Sequence, residues 1–161
     1  MMSSVAKQRV MMAGFVRELA HRHKAMPSAQ KRKAQRHQQR GFSGFCYDSA
    51  ISAFETFEKQ RFSRDPDEVE ACASRIRRMM ECDLMILDDL GTELVSSVTN
   101  SSLYSLINTR IKSGKPMIIS TNCPDDELRE RYTPQICSRL LGEYRKIPFC
   151  GKDIRLLRKG L

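Results

Sequence analysis

The sequence predicts an α/β protein built around a mainly parallel β-sheet with helical crossovers. Segments with strand and helix signals alternate from residue 41 onwards, and such alternation is typical of parallel sheets. Two apolar segments, LMILDD (84–89) and MIISTN (117–122), end in polar residues. Strands end in this way where ligands gather at the carboxyl edge of a parallel sheet. The 161 residues suffice for one domain with a hydrophobic core.

The first forty residues contain two patterns. Large apolar side chains recur at helical spacing at Met11, Met12, Phe15, Val16 and Leu19. After Pro27, the segment SAQKRKAQRHQQR (28–40) is polar and basic and contains no large apolar residue. Such a segment cannot bury enough surface to offset its ordering entropy. We therefore expect a basic head that is partly helical or flexible.

The next elements follow from strand and capping signals. FSGFCY (42–47) predicts a short strand after a glycine turn, and AISAFETFEKQRF (50–62) has helical spacing. A second helix is predicted to begin after Asp65, because Asp is a favoured N-cap and Pro66 suits the first helical turn. This helix leads into the apolar strand that ends in Asp88 and Asp89.

The remaining elements alternate in the same way. Residues 96–113 predict a helix that ends at Gly114, and residues 115–122 predict a buried strand that Pro124 prevents from continuing. Residues 125–132 and 134–144 predict two short helices. The closing stretch, KIPFCGKDIRLLRKGL (146–161), predicts short strand or helix segments.

The net charge lies in one part of the chain, and this divides the sequence into two regions. Residues 1–40 contain ten lysines and arginines and one acid, Glu18, so they carry the entire formal net charge of +9. Residues 41–161 are balanced, with equal numbers of basic and acidic residues. We interpret 1–40 as a head of atypical composition and 41–161 as the globular body. One hypothesis for the contrast is that 1–40 is translated from another frame or from an alternative start of a longer gene.

The basic head favours contact with nucleic acid, because clustered Lys and Arg attract phosphates. A solvated tail without a role, or an organelle transit peptide, are the alternatives. The six cysteines form no CxxC pair and the histidines lie elsewhere, so we expect reduced thiols and no zinc site. No run of 18 apolar residues and no secretory signal are present, so we expect a cytoplasmic protein without a membrane span.

The polar strand ends indicate phosphoryl-transfer chemistry. In a nucleotide hydrolase the first acid, Asp88, holds Mg²⁺ through water, and the second, Asp89, orients or deprotonates the attacking water. Asn122, after the second strand, is placed to hydrogen-bond the same water or the γ-phosphate. The alternative is a strand-end turn with a helix-capping Asp.

Two arginines extend this pattern. Arg139 lies on a predicted helix after the second strand, and Arg155 lies near the C-terminal end. A planar guanidinium matches phosphate oxygens bidentately, so either suits charge stabilisation during phosphoryl transfer. The alternative is that both are ordinary surface arginines.

Four segments together resemble the bacterial replicative helicase loaders of the DnaC/DnaI type and the related IstB-like AAA+ ATP-binding proteins. They occur in the family's order and spacing across about residues 41–161: CDLMILDDLGTEL, NSSLYSLINTRIKSGKPMIISTN, ELRERYTPQICSRLLGEY and PFCGKDIRLL. The resemblance implies a P-loop NTPase-like parallel sheet with helices on both faces. It also implies ATP and Mg²⁺ as cofactors and a replicative helicase and single-stranded DNA as partners in replication initiation.

The resemblance also implies roles for individual residues. Asp88 and Asp89 become the Walker B pair, with Asp88 as the metal ligand, and Asn122 becomes sensor 1. Arg139 falls where the family places its arginine finger, which reaches a neighbouring copy or paralogue. Thr121 and Arg155 fall at nucleotide-binding positions, Arg155 at sensor 2. Glu93 matches an acid after the family's DDxG turn, whose role the resemblance does not assign.

The phosphate-binding loop is missing from the sequence. A P-loop requires GxxxxGK[ST], and no such string occurs in the 161 residues. In the family, this loop and its strand come just before the segment RGFSGFCYDSA (40–50). We therefore expect an incomplete sheet in which two strands lose a neighbour and apolar surface is exposed.

Three functions remain open on the sequence. The first is an ATP-binding, helicase-loader-like protein that couples ATP binding and hydrolysis to assembly of a helicase or DNA complex, with impaired hydrolysis in this chain. The second is a non-catalytic subunit that lends Arg139 to an intact paralogue, or an accessory protein that binds DNA through residues 1–40. The third is an inactive truncated relic.

Overall fold

The computed structural model describes residues 7–13 and 44–150, with side chains from 44 to 148. The described segments form five strands and five helices. The strands are β1 (Lys7–Ala13), β2 (Phe45–Ser49), β3 (Leu84–Leu90), β4 (Met117–Thr121) and β5 (Tyr144–Cys150). The helices are α1 (Ala50–Phe62), α2 (Pro66–Glu81), α3 (Ser97–Ser113), α4 (Asp125–Arg131) and α5 (Pro134–Gly142).

The strands form one sheet in the order β2-β3-β4-β1-β5. β2, β3 and β4 are parallel, with Tyr47 opposite Ile86 and Ile86 opposite Ile118. β1 lies between β4 and β5 and runs antiparallel to both, with Val10 opposite Ser120 on one side and Ile147 on the other. The α/β prediction with a parallel sheet is therefore confirmed for the three strands that carry the predicted site.

Local signals in the sequence account for the helix boundaries. Asp65 is the N-cap of α2, where its carboxylate accepts the backbone N–H of Asp67 at 3.0 Å, and Pro66 follows in the first turn. α3 ends at Gly114, which adopts the left-handed conformation with φ 68° and donates its N–H to the carbonyls of Arg110 and Ile111. These predictions from the sequence are confirmed.

The core lies on one face of the sheet. Alternate residues of β3 and β4 are buried beneath the helices, with Met85, Leu87, Met117 and Ile119 at most 1% exposed. At the intervening positions, Ile86 and Ile118 are only half-buried. On β2, Phe45 and Tyr47 are 64% and 59% exposed. We call these two sides the covered face and the open face.

The predicted helices on both faces are found on one face only in the described part of the chain. The connections β2 to β3, β3 to β4 and β4 to β5 all step in the same direction across the sheet. Right-handed crossovers that step in one direction place their helices on the same side. The apolar surface that we expected to be exposed is present on the open face, at Phe45 and Tyr47.

The predicted gap in the sheet is wrong, because β1 occupies the place between β4 and β5. Residues 7–13 were expected to be helical from their spacing, and they form a strand instead. A strand in this position supplies hydrogen-bond partners to both neighbouring strands, and such tertiary pairing overrides a weak local preference. The rest of the predicted basic head, residues 1–6 and 14–40, lies outside the described residues.

Charged groups within the covered face are paired. Asp48 of β2 is 6% exposed, and Arg75 of α2 donates three guanidinium hydrogen bonds to its carboxylate, the shortest at 2.6 Å. All five cysteines whose side chains are described are free thiols, and burial raises the pKa values of Cys46, Cys123 and Cys137. Among the described helices, none has the length and hydropathy needed to cross a membrane.

Candidate functional site

The candidate site lies on the open face, where β3 and β4 reach their carboxyl ends. Asp88 of β3 accepts two side-chain hydrogen bonds, one from the hydroxyl of Ser120 on β4 and one from the phenol of Tyr47 on β2, the latter at 2.5 Å. Three adjacent strands therefore each contribute one side chain. The polar ends of β3 and β4 therefore meet at one edge of the sheet.

Hydrogen bonding keeps the Asp88 carboxylate ionised. The hydroxyls of Ser120 and then Tyr47 stabilise the charged form and hold the pKa of Asp88 below its usual value, against a smaller opposing effect of burial. The same hydrogen bond raises the pKa of Tyr47, because the neighbouring carboxylate disfavours the phenolate. The site is therefore an anionic group flanked by neutral donors at neutral pH.

Asp89 has an unusual backbone conformation. Its φ is 55°, and it is the only residue other than glycine with positive φ among the described residues. Its N–H donates to the Ser120 hydroxyl at 2.9 Å, and its carbonyl accepts from the Thr92 hydroxyl at 2.8 Å. A non-glycine residue in this region carries strain and persists where its surroundings fix it. Asp89 lies in the irregular part of β3 between Leu87 and Leu90, where the pairing with β4 shifts register.

We define the acidic turn as residues 89–93, which begin with the last two residues of β3 and continue towards α3. Gly91 within it has φ 105°, and a Cβ atom there would lie 2.2 Å from the Cys123 sulfur, so no other residue fits. The carboxylate of Glu93 accepts the Gly91 N–H at 2.9 Å. The acidic turn is thus held against the segment that follows β4.

Thr121 and Asn122 differ in how they are placed. Thr121 is 1% exposed, and its hydroxyl donates to the Leu90 carbonyl at 2.5 Å and accepts the Cys123 N–H at 3.1 Å. Its hydroxyl therefore links the ends of β3 and β4, and the nucleotide contact predicted for Thr121 stays a prediction. Asn122 is exposed and directly follows β4. It therefore lies at the carboxyl edge of the sheet, the same edge as Asp88, the predicted metal ligand.

The Arg139 side chain, on α5, contacts residues of the neighbouring helix α3. Its guanidinium lies 4.5 Å from the centre of the Tyr104 ring and donates to the Tyr104 hydroxyl at 3.1 Å and the Asn108 side-chain oxygen at 3.2 Å. No hydrogen bond among the described residues joins Arg139 to Asp88 or Asp89. The structure therefore does not bring this arginine to the acids of its own chain. Arg155 lies outside the described residues.

Reasoning from the sequence missed Tyr47 as a site residue and assigned no role to Glu93. The missing signal for Tyr47 was strand register, because pairing with Ile86 places its side chain on the same face as Asp88. Glu93 is 5% exposed, and its partner Tyr132 lies 39 positions away along the chain. No local pattern in the sequence reports a contact of that kind.

The side chains fit a magnesium ion better than they fit the phosphates of a nucleotide. Asp88 offers an ionised carboxylate with lone pairs remaining after its two hydrogen bonds, and Mg²⁺ is commonly held by one or two carboxylates with water and substrate oxygens. In the part of the chain with described side chains, no cluster of three or more His, Cys, Asp or Glu residues forms a closed metal site.

The phosphates lack their usual binding loop. In a P-loop protein, the strand beside β4 ends at the carboxyl edge and turns there into the loop. β1 runs in the opposite direction, so Lys7 begins the strand near this edge and Ala13 ends it at the far one. In the described part of the chain, no loop at this position is therefore placed to hold a triphosphate.

Comparisons with known proteins add no relative. A scan against models of protein families, a search of curated proteins and a search of solved structures each returned no match to the chain. The interpretation of the site therefore rests on its sequence motifs and its geometry.

Proposed function

We propose that the protein is a helicase-loader-like AAA+ subunit that takes part in assembling a replicative helicase or a similar DNA complex, with little or no ATP hydrolysis of its own. The observation that carries this proposal is the arrangement of Asp88 beside Ser120 and Tyr47 at the carboxyl edge of β3 and β4. This arrangement supports Mg²⁺ binding through Asp88. The reversed β1 in the neighbouring position supports impaired hydrolysis.

The remaining residues have roles consistent with that proposal. Asp89 would orient the water at the metal, and the exposed amide of Asn122 would bind the same water or a phosphate oxygen. Arg139 would act on the nucleotide of a neighbouring subunit, since its own hydrogen bonds hold it on α3. Magnesium, when bound, would supply positive charge that attracts phosphate oxygens.

Nucleotide binding and turnover by the purified chain test the proposal. We expect fluorescent ATP to bind only in the presence of Mg²⁺, and Asp88→Asn to weaken that binding at least tenfold. The matched control is Asp126→Asn, which removes an exposed carboxylate from α4. Turnover should equal the buffer background. Magnesium-independent binding would contradict the cation site, and turnover abolished by Asp89→Asn would contradict impaired hydrolysis.

A second candidate function is that of a non-catalytic subunit, favoured by the fixed, half-buried guanidinium of Arg139 against Tyr104. Mixed with an intact loader of the same family, the chain should stimulate or inhibit its ATPase activity, and Arg139→Ala should remove that effect. Arg129→Ala is the matched control, because Arg129 is exposed on the neighbouring helix α4. An equal loss in both variants would contradict a specific role for Arg139.

DNA binding through the basic head is tested in the full chain. Deleting residues 1–40 would also remove β1 from the sheet, so neutralising Lys31, Arg32, Lys33 and Arg36 to glutamine is the better test. We expect affinity for single-stranded DNA to fall steeply with salt, and the slope to become shallower in the neutralised variant. An unchanged salt slope would exclude this segment as the DNA contact.

A further inference from the structure

Glu93 is a buried carboxylate that contacts two parts of the fold at once. Its side chain is 5% exposed. One oxygen accepts the Gly91 N–H of the acidic turn at 2.9 Å, and the other accepts the hydroxyl of Tyr132, the C-cap residue that follows α4. Buried charges are costly unless they are hydrogen-bonded. Both oxygens of this buried carboxylate are hydrogen-bonded, so the carboxylate links the acidic turn to the end of α4.

A second contact strengthens the same connection. Arg131 of α4 donates from its guanidinium to the backbone carbonyl of Glu93 at 2.7 Å. Tyr132 is 3% exposed, and its burial, followed by the nearby Glu93 carboxylate, raises the pKa of its phenol, which keeps the hydroxyl protonated as a donor. Two adjacent residues at the end of α4 therefore hold both the side chain and the backbone of Glu93.

The acidic turn gains its shape from this connection. Glu93 fixes the N–H of Gly91, and Thr92 closes the turn onto the carbonyl of Asp89. The strained φ of 55° at Asp89 requires such restraint on both sides. On the other side, Ser120 holds the Asp89 N–H and also donates to Asp88.

We infer that Glu93 is a positioning residue: its carboxylate sets the geometry of the acidic turn beside Asp88 and couples that turn to the α4–α5 helix pair that carries Arg139. α5 begins at Pro134, two residues after Tyr132. Binding of a cation at Asp88 would therefore change the environment of α5, and Gly91, Glu93 and Tyr132 would transmit this change. This inference rests on the proposed cation site.

The test uses the full chain labelled for NMR and manganese as the probe. We expect Mn²⁺ to broaden the amide signals of Asp88 and Asp89 in the wild type, and Mg²⁺ to shift signals of α5. Glu93→Ala should weaken Mn²⁺ binding about tenfold, as loss of a supporting group around a metal ligand commonly does, and should remove the response of α5 to Mg²⁺.

Two conservative variants separate positioning from general stability. Glu93→Gln keeps an oxygen acceptor for Gly91 and should restore most of the Mn²⁺ affinity. Tyr132→Phe keeps the ring and removes the hydroxyl, so it should keep Mn²⁺ binding within about threefold but lose the Mg²⁺ response of α5, a result that mere destabilisation would not give. If Glu93→Ala does not fold, these two variants decide the question.

The outcomes distinguish the inference from the function on which it rests. Absence of Mn²⁺ broadening at Asp88 and Asp89 in the wild type would overturn the proposed cation site and the positioning role with it. Wild-type binding that is unchanged in Glu93→Ala, or an α5 response that survives in Tyr132→Phe, would overturn the positioning role alone.

Discussion

The two faces of the sheet differ in what the same strands place on them. On the covered face, alternate residues such as Leu87 are fully buried and contact other apolar side chains. On the open face, neighbouring positions carry half-buried Ile86, exposed Tyr47 and the Asp88 carboxylate. The strand period of two thus separates stability from chemistry within one element. Changes on the covered face should therefore unfold the protein, and changes on the open face should alter the site.

The largest expected effect is at Arg110, on the covered side. Its side chain is fully buried, and it donates to the carbonyls of Met79, Cys82 and Pro116 at 2.7, 3.0 and 2.6 Å. Arg110→Met would remove the guanidinium donor from all three carbonyls, so we expect the free energy of unfolding to fall by about 4 kcal/mol. Urea denaturation measures this.

The matched control for Arg110 is Lys112→Met, two residues along the same helix and exposed. Its free energy of unfolding should change by less than about 0.5 kcal/mol. Similar losses in the two variants would show that burial of the guanidinium does not stabilise the junction between α2, α3 and β4.

Neighbouring residues of β3 compare the two faces directly. Leu87→Ala removes a fully buried side chain from the covered face and should lower the free energy of unfolding by about 3 kcal/mol. Ile86→Ala, on the open face, should lower it by about 1 kcal/mol, because Ile86 is only half-buried. Equal losses in urea denaturation would mean that the open face is as well covered as the other.

A smaller effect is expected at Tyr47 as pH is lowered. Because the Asp88 pKa is depressed in the folded state, its contribution to stability is present above the ordinary value of 3.8 and is lost as pH falls through the lower folded value. Tyr47→Phe removes one of the two donors, so the Asp88 pKa should rise and the protein should lose less stability between pH 5 and about pH 2.

Carbon-13 NMR titration of the Asp88 carboxyl measures the Tyr47 effect. Phe45→Leu is the control, since Phe45 lies on the same face of the same strand and no hydrogen bond joins it to Asp88. An Asp88 titration that is the same in wild type and Tyr47→Phe would show that the phenol does not stabilise the carboxylate.

The smallest effect is expected at Phe45, at the outer strand of the open face. Its side chain is 64% exposed, so Phe45→Ser should change the free energy of unfolding by less than about 0.5 kcal/mol. The melting temperature and the urea midpoint check this. A loss of 2 kcal/mol or more would show that another part of the chain covers this face in solution.

The body of the fold was largely predictable because its signals are local. Helix α1 was predicted at its observed bounds, and Asp65 and Gly114 marked a helix start and a helix end through capping chemistry. β1 was not predictable, because residues 7–13 have helical spacing and become a strand only by pairing with two neighbours. Pairing partners distant in sequence leave no local pattern.

The candidate site divides in the same manner. Its acids and the polar ends of the two strands were visible in the sequence, since an apolar run that ends in carboxylates is a local signal. The partners of those acids were not visible. The register between β2 and β3 brings Tyr47 to Asp88. The packing of α4 against the acidic turn brings Tyr132 to Glu93.

The sequence alone determined the class of fold, the order of elements from β2 to α5 and the location of the acidic pair, because periodicity and capping act over a few residues. The tertiary structure decided the direction of β1, the face on which the helices lie and the partners of Asp88, Glu93 and Arg139. These features depend on hydrogen bonds and packing between segments far apart in the chain, and only the folded arrangement brings such segments together.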